Sequence, residues 1–436
     1  MPRRTTLGRW IWGVLIVVAV ARMAAVVYSG LETTRGDFYV TLPGAFVEWV
    51  NPVLWNSPDL SDSWIYQRPV YHYGPTQYLT LYPVLSYFES YEAIARFLLW
   101  AYAAAIALTM YFLWRAGRLV HLGPTRLGAA IVVATAFYFP LHHAYLQREF
   151  EVVVLCLTSA ALLALLCRRE RTMAALIGYI IWYKLLPLAW LPYLILRRWW
   201  GAIATVAAVS ALLIALAVGV LGVEGLGGVA GELASQVDRR TQGAVMCVEW
   251  TMSEWRVHAV HNTTWADARW ALCSLADRWP WLPASFAYAS LLLLSGGMFL
   301  AGFVRLERGE LVHSADEAWR RGLELGLIVL ASSALVHAHY YYLSLLLLPL
   351  VILLARYLGG GPGQWWRRTL WMVSYLSLAV FAVPISVLSR LTGIDFWWAY
   401  MLNTIYFPGV LLLIGLLLWE YLTIPLARPV AVEAAA

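Results

Sequence analysis

The chain has 436 residues, of which 61% are hydrophobic and only 13% charged, too little polar surface to cover one or two soluble domains. That excludes a soluble enzyme and leaves an integral membrane protein. The net charge of +6 does not point to nucleic acid, because the arginines fall in short clusters between apolar runs and not along one basic face.

The first predicted helix covers Ile11 to Tyr28. It is long enough to cross a bilayer and has no small-residue cleavage site, so it reads as a retained span and not a removed leader. Arg35-Gly36-Asp37-Phe38-Tyr39 supplies the first polar residues after it. An acid where a span leaves the membrane, ahead of a long aromatic-rich segment, makes Asp37 the catalytic candidate; the plainer reading is a residue that caps or solvates a loop. The segment from about 30 to 90 is rich in Trp, Tyr and Pro and contains Tyr71-His72-Tyr73-Gly74-Pro75. Such aromatics suit a membrane-interface belt or a sugar-stacking surface.

Further apolar runs lie at about 92–114, 126–145 and 150–167. The last two are joined by the short polar turn Gln147-Arg148-Glu149, whose groups stay at the membrane surface and can face the same vestibule as Asp37. The stretch 174–196 is predicted to be two short helices broken near Lys184-Leu185-Leu186-Pro187. Proline removes a backbone donor and clashes with the preceding turn, and a break at membrane depth is tolerable only against protein or a wet cavity. A single span there would put Arg197 and Arg198 on the wrong side of the positive-inside pattern set by the other arginine clusters. Lys184 is the only lysine in the chain. At that depth a charge costs roughly 2.5 kcal/mol or more unless it is paired or hydrated, which makes Lys184 a candidate phosphate ligand, with snorkelling as the plainer reading.

The run 201–221 leads into a second large outer segment, 222–283, which carries Asn262-Thr263-Thr264 and two cysteines, Cys247 and Cys273. Two thiols on the oxidising side could pair, although sequence alone does not bring them together. After 284–304, a polar interruption from Ser332-Ser333 to His337-Ala338-His339 divides 321–357 into two short apolar runs, and the runs 369–389 and 403–422 follow. Two histidines two apart point to opposite sides of a helix, so they are not read as a paired metal site. No metal-ligand spacing, Walker loop or dinucleotide glycine fingerprint is present. The expected fold is an all-α multi-span helical bundle with about twelve membrane segments, two large extracytoplasmic loops and both termini cytoplasmic.

These features resemble, in the same order, the polytopic GT-C glycosyltransferases, and most closely glycosyltransferase family 87, whose members include polyprenyl-phosphomannose-dependent mannosyltransferases. Asp37 falls on the family's acid after the first helix, in a Gly-Asp-Phe-Tyr context. Tyr73-Gly74-Pro75 with Leu81-Tyr82-Pro83 is similar to an aromatic-Tyr-Pro-Pro element, with Gly74 in place of a proline. Gln147 matches the glutamine of a Gly-Gln-x-Asn turn whose asparagine is lost here to Arg148-Glu149. Lys184-Leu185-Leu186-Pro187, continuing into Arg197-Arg198, matches a Lys-x-x-Pro element closed by arginines. Asn262-Thr263-Thr264 resembles an Asn-Gln-Ser element, and Ser333 to His339 a Ser-Pro-x-Ser-Trp-x-His element.

The resemblance implies a GT-C bundle in a bacterial plasma membrane with its active site on the extracytoplasmic side. Its donor would be a polyprenyl-phosphate sugar, foremost mannose, and its acceptor a lipid or glycan. Asp37 would be the general base. Lys184, His339 and Arg148 would receive the departing phosphate, and Gln147, Asn262 and His337 would contact substrate. No metal or other cofactor and no nucleic acid is expected. Two alternatives stay open: an arabinofuranosyl or other pentosyl transferase of the same class, and a non-enzymatic transporter or flippase of lipid-linked sugars. A transporter keeps its substrate groups near the bilayer midplane and is commonly built from internal repeats, and no repeat is visible here.

Overall fold

The computed structural model describes residues 6–32, 75–88, 90–119, 124–146, 149–184, 190–245, 284–309, 311, 314–335, 340–359, 364–379 and 407–426. Among them the chain forms fourteen α-helices and one isolated bridge, Leu311 with Leu426. The helices are α1 (Thr6–Glu32), α2 (Pro75–Tyr87), α3 (Tyr91–Leu119), α4 (Pro124–Ala136), α5 (Phe139–Leu146), α6 (Glu151–Leu166) and α7 (Glu170–Lys184). They continue as α8 (Trp190–Leu196), α9 (Trp200–Val245), α10 (Ala284–Arg308), α11 (Ser314–Leu330), α12 (Leu347–Gly359), α13 (Trp365–Ala379) and α14 (Phe407–Leu422). A π-helical turn at Ala331–Leu335 and a 3-10 stretch at Tyr340–Leu346 lie between α11 and α12.

Among the described residues, four helical stretches are long and apolar enough to cross a membrane: Trp10–Leu31, Glu92–Leu119, Trp200–Val220 and Ser290–Arg308. The pair Thr125–Ala136 and Phe139–Leu146, bent by 59°, makes a fifth when taken as one span. Large apolar side chains such as Trp10, Val17, Trp100, Leu212 and Leu293 are exposed on these helices, as they must be where the solvent is lipid. The interior is equally apolar. Leu343, Leu346, Leu347, Leu348, Leu350 and Leu353 are fully buried in the 3-10 stretch and α12.

With oil on both sides of a helix, burying a leucine gains little, so close backbone approach and interhelical hydrogen bonds hold the bundle together. A Cβ at Gly178 of α7 would stand 3.3 Å from the Val206 Cα of α9. Trp371 Nε1 of α13 donates to Leu350 O at 2.9 Å, and Ser374 Oγ donates to Gly409 O at 2.8 Å. Gly302 of α10 lies under Tyr421, where an added Cβ would meet ring carbons at 2.6 and 2.8 Å. Gly302→Ala should therefore destabilise the chain by about 1–3 kcal/mol through overpacking. Gly415→Ala, with nothing within 4 Å of its Cβ position, is the matched control, and thermal denaturation of the purified protein in detergent compares the two.

The sequence reading differs from the structure in two places. The run 126–145 is not one straight helix but the bent pair α4 and α5, because Pro140 interrupts it. The segment assigned to an outer loop from residue 222 starts as helix: α9 continues to Val245 through Gly222, whose φ of 72° and ψ of 171° break the helical path, a conformation that glycine adopts without steric cost. The break expected near Lys184-Leu185-Leu186-Pro187 falls on residues 185–189, which lie outside the described residues, between α7, whose last residue is Lys184, and α8, whose first is Trp190. Cys156 is buried in α6 and Cys167 exposed at its end, both as free thiols; Cys247 and Cys273 lie outside the described residues.

Candidate functional site

Pro140 has no N–H, so in a continuous helix the carbonyl four residues earlier, Ala136 O, would lack a donor. Arg22 of α1 supplies one: its Nε donates to Ala136 O at 2.9 Å, and its guanidinium lies 5.6 Å from the centre of the Phe137 ring. The two preceding carbonyls are satisfied in the same way. Tyr375 OH of α13 donates to Ala134 O at 2.7 Å, and His142 Nε2 meets Thr135 O at 3.1 Å. A carbonyl only accepts, so the proton sits on Nε2 and leaves Nδ1 as a buried acceptor without a partner among the described residues. Three side chains from different elements thus hold the frayed end of α4 open and fix the direction in which α5 leaves it.

Helix α5 is anchored to two neighbours, one at each end. Tyr138 OH, just before α5, donates to Leu343 O of the 3-10 stretch at 2.5 Å. At its far end Tyr145 and Leu146 stand 3.4 and 3.5 Å from the Cβ position of Gly30 in α1. Glu149 N then donates back to Ala144 O at 2.8 Å, closing the turn, and the carboxylates of Glu149 and Glu151 are buried at the head of α6. Helices α6 and α7 are joined by the tight turn at Cys167–Arg169 and pack along each other. Being of nearly equal length, they bring the last backbone residue of α7, Lys184, to the end where α6 begins. Helix α2 is tied to the same region by Thr80 Oγ1 and Tyr179 OH, 2.5 Å apart. The hydroxyls of Ser332 and Ser333 both donate to Val329 O, at 3.0 and 2.6 Å, where α11 distorts into the π turn.

Four chain departures therefore meet at one end of the bundle. They are α1 past Glu32 on the way to Asp37, α5 past Leu146 toward Gln147 and Arg148, α7 at Lys184, and the π turn at Leu335 ahead of His337 and His339. Asp37, Gln147, Arg148, Asn262, His337 and His339 themselves lie outside the described residues, as does the side chain of Lys184. Arg22, His142 and Glu151 were not singled out by sequence reasoning, whereas Glu149 was named with the polar turn Gln147-Arg148-Glu149. Arg22 and His142 carry the signal that could have found them, an ionisable group inside an apolar run. Among the described residues no group of three or more His, Cys, Asp or Glu gathers as a metal site.

The opposite end collects the arginines. Glu324 of α11, with no exposed surface, accepts from Tyr193 OH at 2.9 Å, Tyr421 OH at 2.8 Å and Arg320 Nε at 3.1 Å, and from Arg197. Arg197 also donates to Glu307 at 2.6 Å, and Arg320 reaches the same carboxylate. Burial alone would weaken the Arg197 proton, but the Glu324 carboxylate more than reverses this and raises its affinity above that of a free arginine. Glu420 of α14 is likewise buried between Arg356 and Arg367, at 3.4 and 2.8 Å. Several arginines that read as loop markers in the sequence are thus side chains sunk around buried acids. Arg168 and Arg198 end α6 and α8 in the left-handed region, at φ 57° and 54°. In both turns the next residue donates back five positions, from Arg169 N to Ala164 O and from Trp199 N to Leu194 O.

No curated protein and no solved structure matches the chain. The sequence model of glycosyltransferase family 87 matches residues 71–310, more than half of the chain. Gln147, Arg148, Lys184 and Asn262 fall inside the matched span, Asp37 precedes it, and His337 and His339 follow it. Taken with the apolar helices of membrane-spanning length, the match identifies the chain as a membrane glycosyltransferase that belongs to glycosyltransferase family 87.

Proposed function

We propose that the chain moves a sugar, mannose in the first instance, from a polyprenyl-phosphate donor to a lipid or glycan acceptor at the extracytoplasmic face of a bacterial plasma membrane. The acceptor hydroxyl oxygen attacks the anomeric carbon as the bond from that carbon to the phosphate oxygen breaks. The lipid phosphate departs with the bonding electron pair, and Asp37 takes the hydroxyl proton. Negative charge grows on the phosphate, so Lys184, His339 and Arg148 are its partners, while Gln147, Asn262 and His337 orient the sugar. Fixed cations are sufficient for such a leaving group, and no metal or other cofactor is invoked.

The observation that carries this reading is the meeting, in a member of a glycosyltransferase family, of the chain departures toward Asp37, Gln147, Lys184 and His339 at one end of the bundle. Arg197, Arg320 and Arg367, each paired with an acid, occupy the opposite end, which we assign to the cytoplasm together with both termini. About twelve membrane segments then follow, with the breaks near Lys184 and Ser333 counted as paired half-spans.

The test is to supply the full-length protein in liposomes with labelled mannosyl-phosphoryl-polyprenol, the arabinofuranosyl equivalent, and a nucleotide sugar. Release of free polyprenyl phosphate with label appearing in product, from the mannosyl donor alone, is the expected result. Consumption of only the pentosyl donor would replace the sugar. Labelled lipid that changes leaflet without cleavage would replace the enzyme by a flippase.

A further inference from the structure

Arg22 has a second consequence. It lies nine residues before the end of the apolar span Trp10–Leu31, about 13 Å along the helix from that end. A guanidinium this far inside a span requires a partner for its charge. Among the described residues none is a carboxylate: Nε is used by Ala136 O, the guanidinium faces the Phe137 ring, and the titratable groups it acts on are His142 and Tyr375. One N–H is therefore spent on a neutral carbonyl, while the two terminal nitrogens carry a charge that no carboxylate among the described residues balances.

One helical turn along α4 from the carbonyl that Arg22 holds lies an open apolar groove of about 460 Å³, lined by Ile16, Trp114, Thr125, Gly128, Ala129 and Val132. Val132 is one helical turn before Ala136, and Ile16 lies six residues before Arg22. The groove thus starts about 6 Å from the carbonyl that Arg22 holds and runs on for about 10 Å toward the start of α4. Its floor is small because Gly128 and Ala129 face the Trp114 edge, with the Gly128 Cβ position 3.6 Å from Trp114 Cδ1.

We propose that Arg22 and this groove form a second binding site, separate from the phosphate partners Lys184, His339 and Arg148, for a lipid monophosphate with one long hydrocarbon chain, the polyprenyl phosphate that donor and product share. The phosphate takes the two terminal nitrogens of Arg22 as a forked pair of charge-assisted hydrogen bonds, and the chain lies between α1, α3 and α4. Depth selects the occupant. A two-chain phospholipid keeps its phosphate at the membrane surface and its tails within one leaflet, whereas a polyprenyl chain can lie lengthwise along the span below a sunken phosphate. The assignment rests on the lipid-phosphate donor of the proposed function. It also makes α1 more than an anchor, since the helix that leads to Asp37 then carries the ligand of this second phosphate site and one wall of the tail groove.

The test uses the full-length chain, wild type and Asp37→Asn, with native mass spectrometry in detergent. Undecaprenyl phosphate, undecaprenol and dioleoyl phosphatidylglycerol are added in turn. Wild type and Asp37→Asn should both retain undecaprenyl phosphate over the other two. Arg22→Gln, which keeps an N–H for Ala136 O but removes the charge, should weaken retention at least about tenfold, and Arg22→Lys should restore part of it. Gly128→Leu, which fills the groove and leaves Arg22 in place, should weaken it as well, while Gly128→Ala should not. Equal retention of undecaprenol or of phosphatidylglycerol by the wild type would overturn the site, as would unchanged retention by both Arg22→Gln and Gly128→Leu. Because binding is read without turnover, an Asp37→Asn protein that still transfers sugar would remove the proposed base and leave this result standing.

Discussion

Asp37→Asn should lower sugar transfer by about a thousandfold, the contribution expected of a positioned general base. Asparagine preserves the shape of the side chain and its capacity to hydrogen-bond the acceptor hydroxyl, but it cannot take the proton. The loss should therefore fall on kcat with KM for both substrates little changed. Asp37→Glu, which restores the carboxylate at a displaced position, should recover a small part of the rate. The measurement is transfer from labelled polyprenyl-phosphate mannose, with the amount of folded protein normalised by size exclusion in detergent. A loss confined to KM would make Asp37 a binding residue. Transfer at the wild-type rate would move the base elsewhere, and the buried pair Glu149 and Glu151 at the head of α6 would be the first carboxylates to replace.

The helices were legible because their signals are local. A span announces itself by some twenty consecutive apolar residues. Pro140 carried such a signal for the bent pair α4 and α5, but the surrounding run is so apolar that mean hydropathy conceals a single imino acid. Averaging also concealed Arg22: one charge among the 22 residues of Trp10–Leu31 leaves the span strongly apolar, so the helix reads as a plain anchor. What Arg22 does is set by Ala136, 114 residues away in sequence, and no spacing rule reaches that far.

The candidate site was legible in a different sense. The order of its residues along the chain carries the family resemblance, and the family match includes the central part of that order. The chain departures toward them converge because α6, α7 and α11 run between the two ends of the bundle. The segments that bear Asp37 and Asn262 have no 3.6-residue apolar period, so local rules say little about how their side chains are presented.

Glu324→Leu should destabilise the protein by about 3–5 kcal/mol, the cost of removing one partner from a buried charge network. Glu324 is the point through which α8, α11 and α14 are joined, since Tyr193, Arg197, Arg320 and Tyr421 all donate to its two oxygens. Leucine fills the volume but accepts nothing. Both tyrosine hydroxyls would be left buried without an acceptor, and Arg197 and Arg320 would share Glu307, whose side chain is 45% exposed. Arg197→Met in the same chain removes one of the two stranded cations, so the double variant should recover part of the loss. That recovery is the coupling a double-mutant cycle measures. Thermal denaturation in detergent is the readout, with KM for the donor as the control: the network lies at the end of the bundle away from the candidate site, so the folded fraction should bind donor normally. Wild-type stability in Glu324→Leu would mean that the four donors find water or one another at no cost, and that packing alone joins the three helices.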